Sequence, residues 1–407
     1  MKIAKSSNKV IEFLGLRRGM VALLAMVVLV GMGEKLAERF LPIYLIALGG
    51  WAISIGLLNG MDNLLSALYA FPGGYLSDRL GYKRALLVFN LVAIGGYAIV
   101  VIFPYWQAVI VGSIFFLSWS AISLPATVSL VGDVLPPARR TMGISMHSMV
   151  RRIPMALGPV IGGLLIARFG EVDGVRLGFM VAIVLGLLSI GMQQFMLEEK
   201  RAPVARIENN PLRVLRGMSP SLKTLLVADI LVRFCEQIPY AFVVVWALQE
   251  GGVTAFEFGL LTSIEMVVAM LVYIPIAYLA DRSMKKPFVV TTFVFFTVFP
   301  LLLLFSRSFE LLAFAFIVRG LKEFGEPTRK AMIMDLAPEN LKASSFGAYY
   351  LIRDVIVAFA AFGGAFLWNV SPQVNFLTAF SFGILGTLYF AIKGKDMSPR
   401  QVAASNA

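Results

Sequence analysis

The sequence is poor in the residues from which soluble chemistry is usually built. It has one cysteine, Cys235, and one histidine, His147, in 407 residues. A single cysteine excludes an intrachain disulfide, and with one histidine it cannot assemble a Cys/His zinc cluster. Only a hard-metal site made of carboxylates is left open by that count. No Gly-Lys-Ser/Thr phosphate loop occurs, so nothing points to ATP use. Charged residues are scarce at 15%, against about 25% in an average soluble domain. What fills the space is apolar: 58% of the residues are hydrophobic, more than a water-soluble chain of this length could hide. Soluble enzymes, nucleic-acid-binding modules and disordered scaffolds are thereby excluded, and a polytopic membrane protein remains. The net charge of +12 fits basic loops lying against anionic headgroups, so the partner it implies is membrane lipid and not nucleic acid. The segment after Met1 begins basic, but its apolar run continues too far for a cleaved signal peptide and reads as a first transmembrane helix.

A spanning helix needs about 20 mostly apolar residues. Splitting the chain at polar and Gly/Pro breaks gives twelve such stretches, near 19–47, 52–77, 83–104, 107–133, 141–167, 174–196, 221–248, 254–280, 287–306, 309–335, 343–369 and 373–393. The one long hydrophilic connection runs from Glu198 to Ser219 and carries Lys200, Arg201, Arg206, Arg213 and Arg216. The expected organisation is a six-helix bundle over 1–197, a cytoplasmic linker over 198–220, a second six-helix bundle over 221–395 and a tail over 396–407. Basic residues cluster before span one (Lys2, Lys5, Lys9, Arg17, Arg18) and after spans two (Arg79, Lys83, Arg84), four (Arg139, Arg140), six and eight (Arg282, Lys285, Lys286). Alternate loops such as Gly49–Trp51, Pro104–Trp106 and Gln249–Ala255 carry none, which places both termini in the cytoplasm.

The halves are copies. Pro125, Asp133, Pro136 and Gly49 meet Pro327, Asp335, Pro338 and Gly251 at a shift of 202, Asp78-Arg79 meets Asp281-Arg282 at 203, and Gly162-Gly163 meets Gly363-Gly364 at 201. The expected fold class is an all-α membrane protein of twelve transmembrane helices in two pseudo-symmetric six-helix bundles. Two parallel halves of this kind form a rocking transporter with its binding site between them, near the bilayer midplane.

Motifs add a family. Gly74-Tyr75-Leu76-Ser77-Asp78-Arg79-Leu80-Gly81-Tyr82-Lys83-Arg84 closely resembles the loop motif between spans two and three of the major facilitator superfamily. The second-half copy keeps Ala277, Leu279, Asp281 and Arg282 but has Ser283-Met284 in place of the turn glycine. The resemblance implies that Gly74, Asp78, Arg79, Gly81 and Arg84, with Asp281 and Arg282, form a cytoplasmic gate. It also implies a monomeric bacterial inner-membrane transporter, not an enzyme, with no cofactor and a proton gradient as its drive. Gly158-Pro159-Val160-Ile161-Gly162-Gly163 in span five is similar to the core of the family's antiporter motif, with Pro154 where that motif has a further glycine. Small residues there let spans five and eight approach closely, and the proline bends the helix. The fold leaves the substrate open.

Charges inside spans are costly, about 2.5–3.5 kcal/mol each on insertion scales, so each must meet a cavity or a partner. Span one holds Glu34, Lys35, Glu38 and Arg39, and Glu34 and Glu38 share a helix face at i,i+4. Two close carboxylates cannot both ionise cheaply, which is how a proton-exchanging site is made. Glu38-Arg39-Phe40 also resembles the first helix of proton-coupled oligopeptide transporters, although there the upstream glutamate stands three residues ahead and here Glu34 stands four. Glu34 and Glu236 each lie 15 residues before a repeat-related glycine, Gly49 or Gly251, and Asp62 and Glu265 pair at 203. Asp62 and Glu265 read as structural acids near helix ends. Arg152 and Arg353 each lie ten residues before Gly162 or Gly363, flanked by Arg151 and Asp354. They are candidate anion ligands or internal partners, Arg353 for Glu236 and Arg152 for Glu34.

Span ten carries Arg319, Lys322, Glu323, Glu326, Arg329 and Lys330. Arg319, Leu321 and Gly325 are loosely similar to the family's arginine motif of span four, where this chain has Leu117. Glu326-Pro327 should kink the span. Asp229 and Arg233, i,i+4 on span seven, read as a structural pair, and His147 reads as a helix-surface histidine that is structural or titrates in coupling. Tyr44, Tyr240, Trp246, Tyr349 and Tyr350 either stack on an amphipathic substrate or pack against helices and lipid. The function expected first is proton-coupled export of an amphipathic small molecule, with Glu34 and Glu236 exchanging the proton and Arg152 and Arg353 as counter-charges. The alternatives are an organic-anion exchanger or uptake system clamped by Arg152 and Arg353, a lipid flippase, or a receptor-like protein on this fold.

Overall fold

A computed structural model describes residues 18–117, 119, 150–196, 215–280, 284–337 and 342–395. Those residues are helical, and no strand occurs among them. The helices are α1 (Arg18–Ala37), α2 (Leu41–Ala47), α3 (Ala52–Leu80), α4 (Tyr82–Ile102), α5 (Trp106–Phe116), α6 (Arg152–Phe169), α7 (Glu171–Met196), α8 (Pro220–Gln237), α9 (Phe242–Gln249), α10 (Ala255–Ala280), α11 (Lys286–Phe305), α12 (Phe309–Leu321), α13 (Glu326–Leu336), α14 (Lys342–Val370) and α15 (Pro372–Lys393). Wherever an expected span falls on described residues it is mainly helical, and among those residues eight helices are long and apolar enough to cross a membrane. Most of span four and the start of span five lie outside them. Leu271, Phe305, Phe359 and Ile392 are 68–77% exposed, an apolar exterior that suits acyl chains and not water.

Three spans are interrupted, the third of them at the kink expected from Glu326-Pro327. A 3₁₀ turn, Glu38–Phe40, separates α1 from α2, and Ile238–Ala241 separates α8 from α9. A second 3₁₀ turn, Lys322–Gly325, separates α12 from α13. Pro42, Pro239 and Pro327 stand at these breaks, and each removes a backbone N–H that a continuous helix would use. Broken helices in a membrane protein survive where the freed polar groups meet protein or water, not lipid. Ser219 and Ser371 cap α8 and α15 by accepting from Leu222 N and Val374 N at 3.2 and 3.1 Å, each followed by a proline suited to the first helical position.

The chain divides into two compact units: Met1–Gly49 with Leu65–Arg206, and Gly50–Leu64 with Ile207–Ala407. In the first, Tyr97, Phe116 and Phe179 form a ring cluster with centroids 4.9–5.7 Å apart. A buried polar chain joins α4 to α7: Trp119 Nε1 donates to Asn90 Oδ1 (2.8 Å), and Asn90 Nδ2 donates to Gln193 Oε1 (3.2 Å). Gln193 Nε2 in turn donates to the carbonyl of Lys83 (2.5 Å). The second unit has a core around Leu222, Leu225, Phe293, Ile333, Tyr349 and Phe390. It also holds the start of α3, where Asn63 Nδ2 donates to Gln237 Oε1 at 3.2 Å.

Candidate functional site

In the first unit the site is built on the last turn of α1. Glu34 and Glu38 both pair with Lys35, Glu34 Oε1 at 3.2 Å from Nζ. Glu34 is buried, while Lys35, Glu38 and Arg39 are half-buried. Arg151, just ahead of α6, lies within electrostatic reach of Glu34, and Arg152 is half-buried beside it. What presses these elements together is the Gly-Pro segment of α6. A β-carbon on Gly158 would lie 2.6 Å from Lys35 Cβ, and one on Gly162 would overlap the carbonyl oxygen of Leu36. Within this unit, then, Gly158 and Gly162 seat α1 at the very turn that carries the acids.

The second unit repeats that contact. A β-carbon on Gly364 would overlap the carbonyl oxygen of Ile238. Leu36 and Ile238 are 202 residues apart, and so are Gly162 and Gly364. This corrects the register read from the glycine pairs, which was out by one. The repeat mate of Arg353 is Arg151, and Arg152 corresponds to Asp354. Glu34 and Glu236 remain mates at the same shift.

The ions of the second unit form one connected network. Asp229, 1% exposed, pairs with Arg329, also 1% exposed. It accepts from Tyr349 Oη at 2.9 Å and lies 3.4 Å from Arg353 Nη1 and 3.7 Å from Arg233 Nε. Arg329 Nη2 donates to Glu326 at 2.7 Å. Arg233 Nη1 donates to Glu236 Oε2 at 2.6 Å, and Lys322 Nζ donates to Glu236 Oε1 at 2.9 Å. Lys322 is also 3.3 Å from Glu265, which meets Arg319 at 3.2 Å. Arg353 Nε donates to Asp354 at 2.7 Å, so the partners of Arg353 are Asp229 and Asp354, not Glu236. The expected Asp229–Arg233 pair is the loose edge of this network, and Arg329 is the closer partner of Asp229. Glu265 sits midway along α10 and is 1% exposed, far from the headgroup position expected for it, because two cations offset its burial.

Around one end of this network lies a small recess, lined by Glu236, Tyr240, Val243, three phenylalanines of α11 (Phe295, Phe296, Phe299), Arg319 and Lys322. Its cations rest on ring faces: Arg319 is 5.0 Å from the Phe299 centroid, and Lys322 is 5.7 Å from that of Phe296. Cation–π contact holds a charge in place without neutralising it.

The sequence profile of the Major Facilitator Superfamily matches the chain twice, over residues 23–226 and again over 225–406. The chain belongs to that superfamily. Among curated proteins it is 19% identical over 360 residues to an uncharacterised MFS-type transporter of Methanocaldococcus jannaschii, covering 85% of this chain and 87% of that one. Among solved structures it is similar to a peptide transporter POT in complex with sulfate, with a TM-score of 0.74 and 14% identity over 92% of this chain and 94% of that one. It is also similar to the human organic anion transporter MFSD10, with a TM-score of 0.64 and 15% identity over 92% and 99% of the two chains. At such identities the structural likeness speaks for the fold. As a major facilitator, the chain is a multi-pass membrane transporter and not an enzyme.

Within this superfamily member, the gate motif is described in part. Gly74, Asp78 and Arg79 lie along the last turns of α3, with side chains outside the described residues. Gly81 makes the turn into α4 at φ +81°, a left-handed conformation that glycine adopts freely, and Arg84 is exposed on the first turn of α4. Asp281, Arg282 and His147 lie outside the described residues, as do Pro125, Asp133 and Pro136 of the repeat. Sequence reasoning passed over Arg329 as the deepest cation and Lys322 as the centre of the recess. The signal was present: Arg319, Lys322, Glu326 and Arg329 follow at i, i+3, i+7 and i+10, one face of a helix.

Proposed function

We propose that this transporter exports an amphipathic small molecule across the bacterial plasma membrane in exchange for protons, with both termini cytoplasmic. One observation carries the reading: two carboxylates, Glu34 and Glu38, meet at the ammonium of Lys35 in the first unit, with Arg151 within electrostatic reach of Glu34. Taking up one proton relieves the like-charge contact, and losing it restores the full pairing with Lys35, which gives the site a route to exchange a proton. The repeat mate Glu236 is held by two cations, Arg233 and Lys322, and acts as a fixed counter-charge. The likeness of Gly158-Pro159 and its neighbours to the antiporter motif supports outward exchange.

The test is flux in proteoliposomes, with labelled amphipathic ions of both signs and an imposed pH gradient. Flux should follow the gradient, and Glu34→Gln should abolish that dependence while leaving the protein folded. Arg151→Gln should alter the pH dependence more than Arg152→Gln. Flux that ignores the gradient for every probe would sink the reading. A second reading, exchange or uptake of an organic anion, is favoured by the recess of the second unit, where Arg319 and Lys322 face one carboxylate among aromatic rings. MFSD10, similar in fold, is described as an organic anion transporter.

A further inference from the structure

Tyr97, on α4, carries a hydroxyl with no hydrogen-bond partner among the described residues, although the residue is only 3% exposed. Its ring is fixed against Phe116 and Phe179, with centroids 4.9 and 5.7 Å away. A buried phenol without a partner is costly, and phenylalanine would fill the same space without that cost. The hydroxyl lies within electrostatic reach of Glu34 and Glu38. Packing brings it there. A β-carbon on Gly33 would lie 2.9 Å from Ala182 Cα, and one on Gly178 would lie 3.7 Å from Ala37 Cβ, so α7 presses on the turn of α1 that carries the acids. Phe179, which holds the Tyr97 ring, belongs to that stretch of α7. The repeat adds a contrast. At the shift of 202, Tyr97 corresponds to Phe299, which lines the recess together with Glu236. Glu236, held by Arg233 and Lys322, thus has beside it a ring without a hydroxyl, and its mate Glu34 has one with it.

We propose that Tyr97 is the hydrogen-bond partner of Glu34 in its protonated form. In the structure Lys35 pairs with both acids, more closely with Glu38, and the Tyr97 hydroxyl is idle. When one proton arrives from water, an O–H bond forms on Glu34, Lys35 stays an ammonium and keeps Glu38, and the new carboxyl O–H donates to Tyr97 Oη. Loss of the proton reverses each step. The other charged groups described around the pair cannot take this role. Lys35 and Arg39 on α1, and Arg151 and Arg152 at the head of α6, are cations with no lone pair to offer. Glu38 is already engaged by Lys35, and the residues of α7 packed here, Gly178, Phe179 and Ala182, do not titrate. The inference rests on the reading of Glu34 and Glu38 as the proton-exchanging pair and adds the residue that holds the protonated state.

The test is an infrared pH titration of the full-length protein in lipid vesicles, reading the carboxyl band that Glu34→Gln removes. Tyr97→Phe should move the midpoint of that band down by about one pH unit, or about tenfold in proton affinity, because only the protonated form loses a partner. Thermal unfolding should agree in sign: Tyr97→Phe should be at least as stable as the native protein above the midpoint and less stable below it. A purely packing role would lower stability at every pH and leave the midpoint alone. Tyr44→Phe also deletes a buried hydroxyl without a partner among the described residues, but one within reach of Arg176 and Asp173, and should leave the midpoint in place. A midpoint unmoved or raised in Tyr97→Phe would overturn the proposal. So would an equal shift in Tyr44→Phe, or a spectrum with no band that belongs to Glu34. If Tyr97→Phe lowers the midpoint while flux ignores a pH gradient, coupling to transport fails and the role of Tyr97 stands. If flux follows the gradient and the midpoint stays, the role of Tyr97 fails and the transport reading stands.

Discussion

Asp229 sets the terms for its side of the second unit. It is one carboxylate facing Arg329, Arg353, Arg233 and the hydroxyl of Tyr349, and it is nearly inaccessible to water. A group so placed is a structural anchor, since losing its charge takes one counter-ion from three guanidiniums at once. Asp229→Asn should therefore destabilise the protein by about 3–5 kcal/mol. The double variant Asp229→Asn with Arg329→Met should lose less than the sum of the two single losses, because each single change already breaks their shared pair, and Glu326 keeps Arg233 and Lys330. Thermal unfolding in detergent checks both, and additive losses would contradict the pairing. Glu34 and Glu38 are built differently, with two acids on one lysine, and that contrast separates an exchangeable site from a fixed one.

At the scale of elements, the interruptions matter more than the helices. The breaks at Glu38–Phe40, Ile238–Ala241 and Lys322–Gly325 fall at or beside Glu34, Glu236 and Lys322. Each break frees backbone groups where the ions already demand a polar setting, so the two costs are met in one place. The turn between α3 and α4 is a second case. Gly81 holds φ +81°, where an L-residue loses roughly 1–2 kcal/mol. Gly81→Ala should lower thermal stability by about that amount, whereas Leu80→Ala beside it involves no left-handed backbone. A Gly81→Ala protein as stable as the native one would remove the strain argument for that glycine. Prolines at 42, 239 and 327 were visible in the sequence, but proline alone does not say whether a span kinks or stops.

For the whole molecule, duplication is the organising fact. The contact of Gly162 with Leu36 is made again by Gly364 with Ile238, so one packing solution serves both units. Gly162→Ala and Gly364→Ala should each cost about 1–3 kcal/mol through overpacking. Having no shared partner, they should add in the double variant. Thermal shifts in detergent measure this, and one costly site beside one silent site would break the analogy. The charges have not all been duplicated with the packing. Asp229, Arg233, Glu326 and Arg329 correspond to Val27, Gly31, Leu124 and Thr127 in the first half of the sequence, so these four ions have no charged repeat mates.

The sequence by itself determined the membrane solvent, the helical class, the twelve spans and the repeat. These follow from composition and from spacing along the chain, which need no knowledge of neighbours in space. It also put Glu34, Glu38, Glu236 and Arg353 among the ions that matter, because a charge in an apolar span is conspicuous wherever it points. The partners were decided only in three dimensions. Arg353 joins Asp229, Lys322 joins Glu236 and Glu265, and the register of the glycine pairs moves by one, since ion pairs between helices depend on rotation and depth that periodicity leaves free.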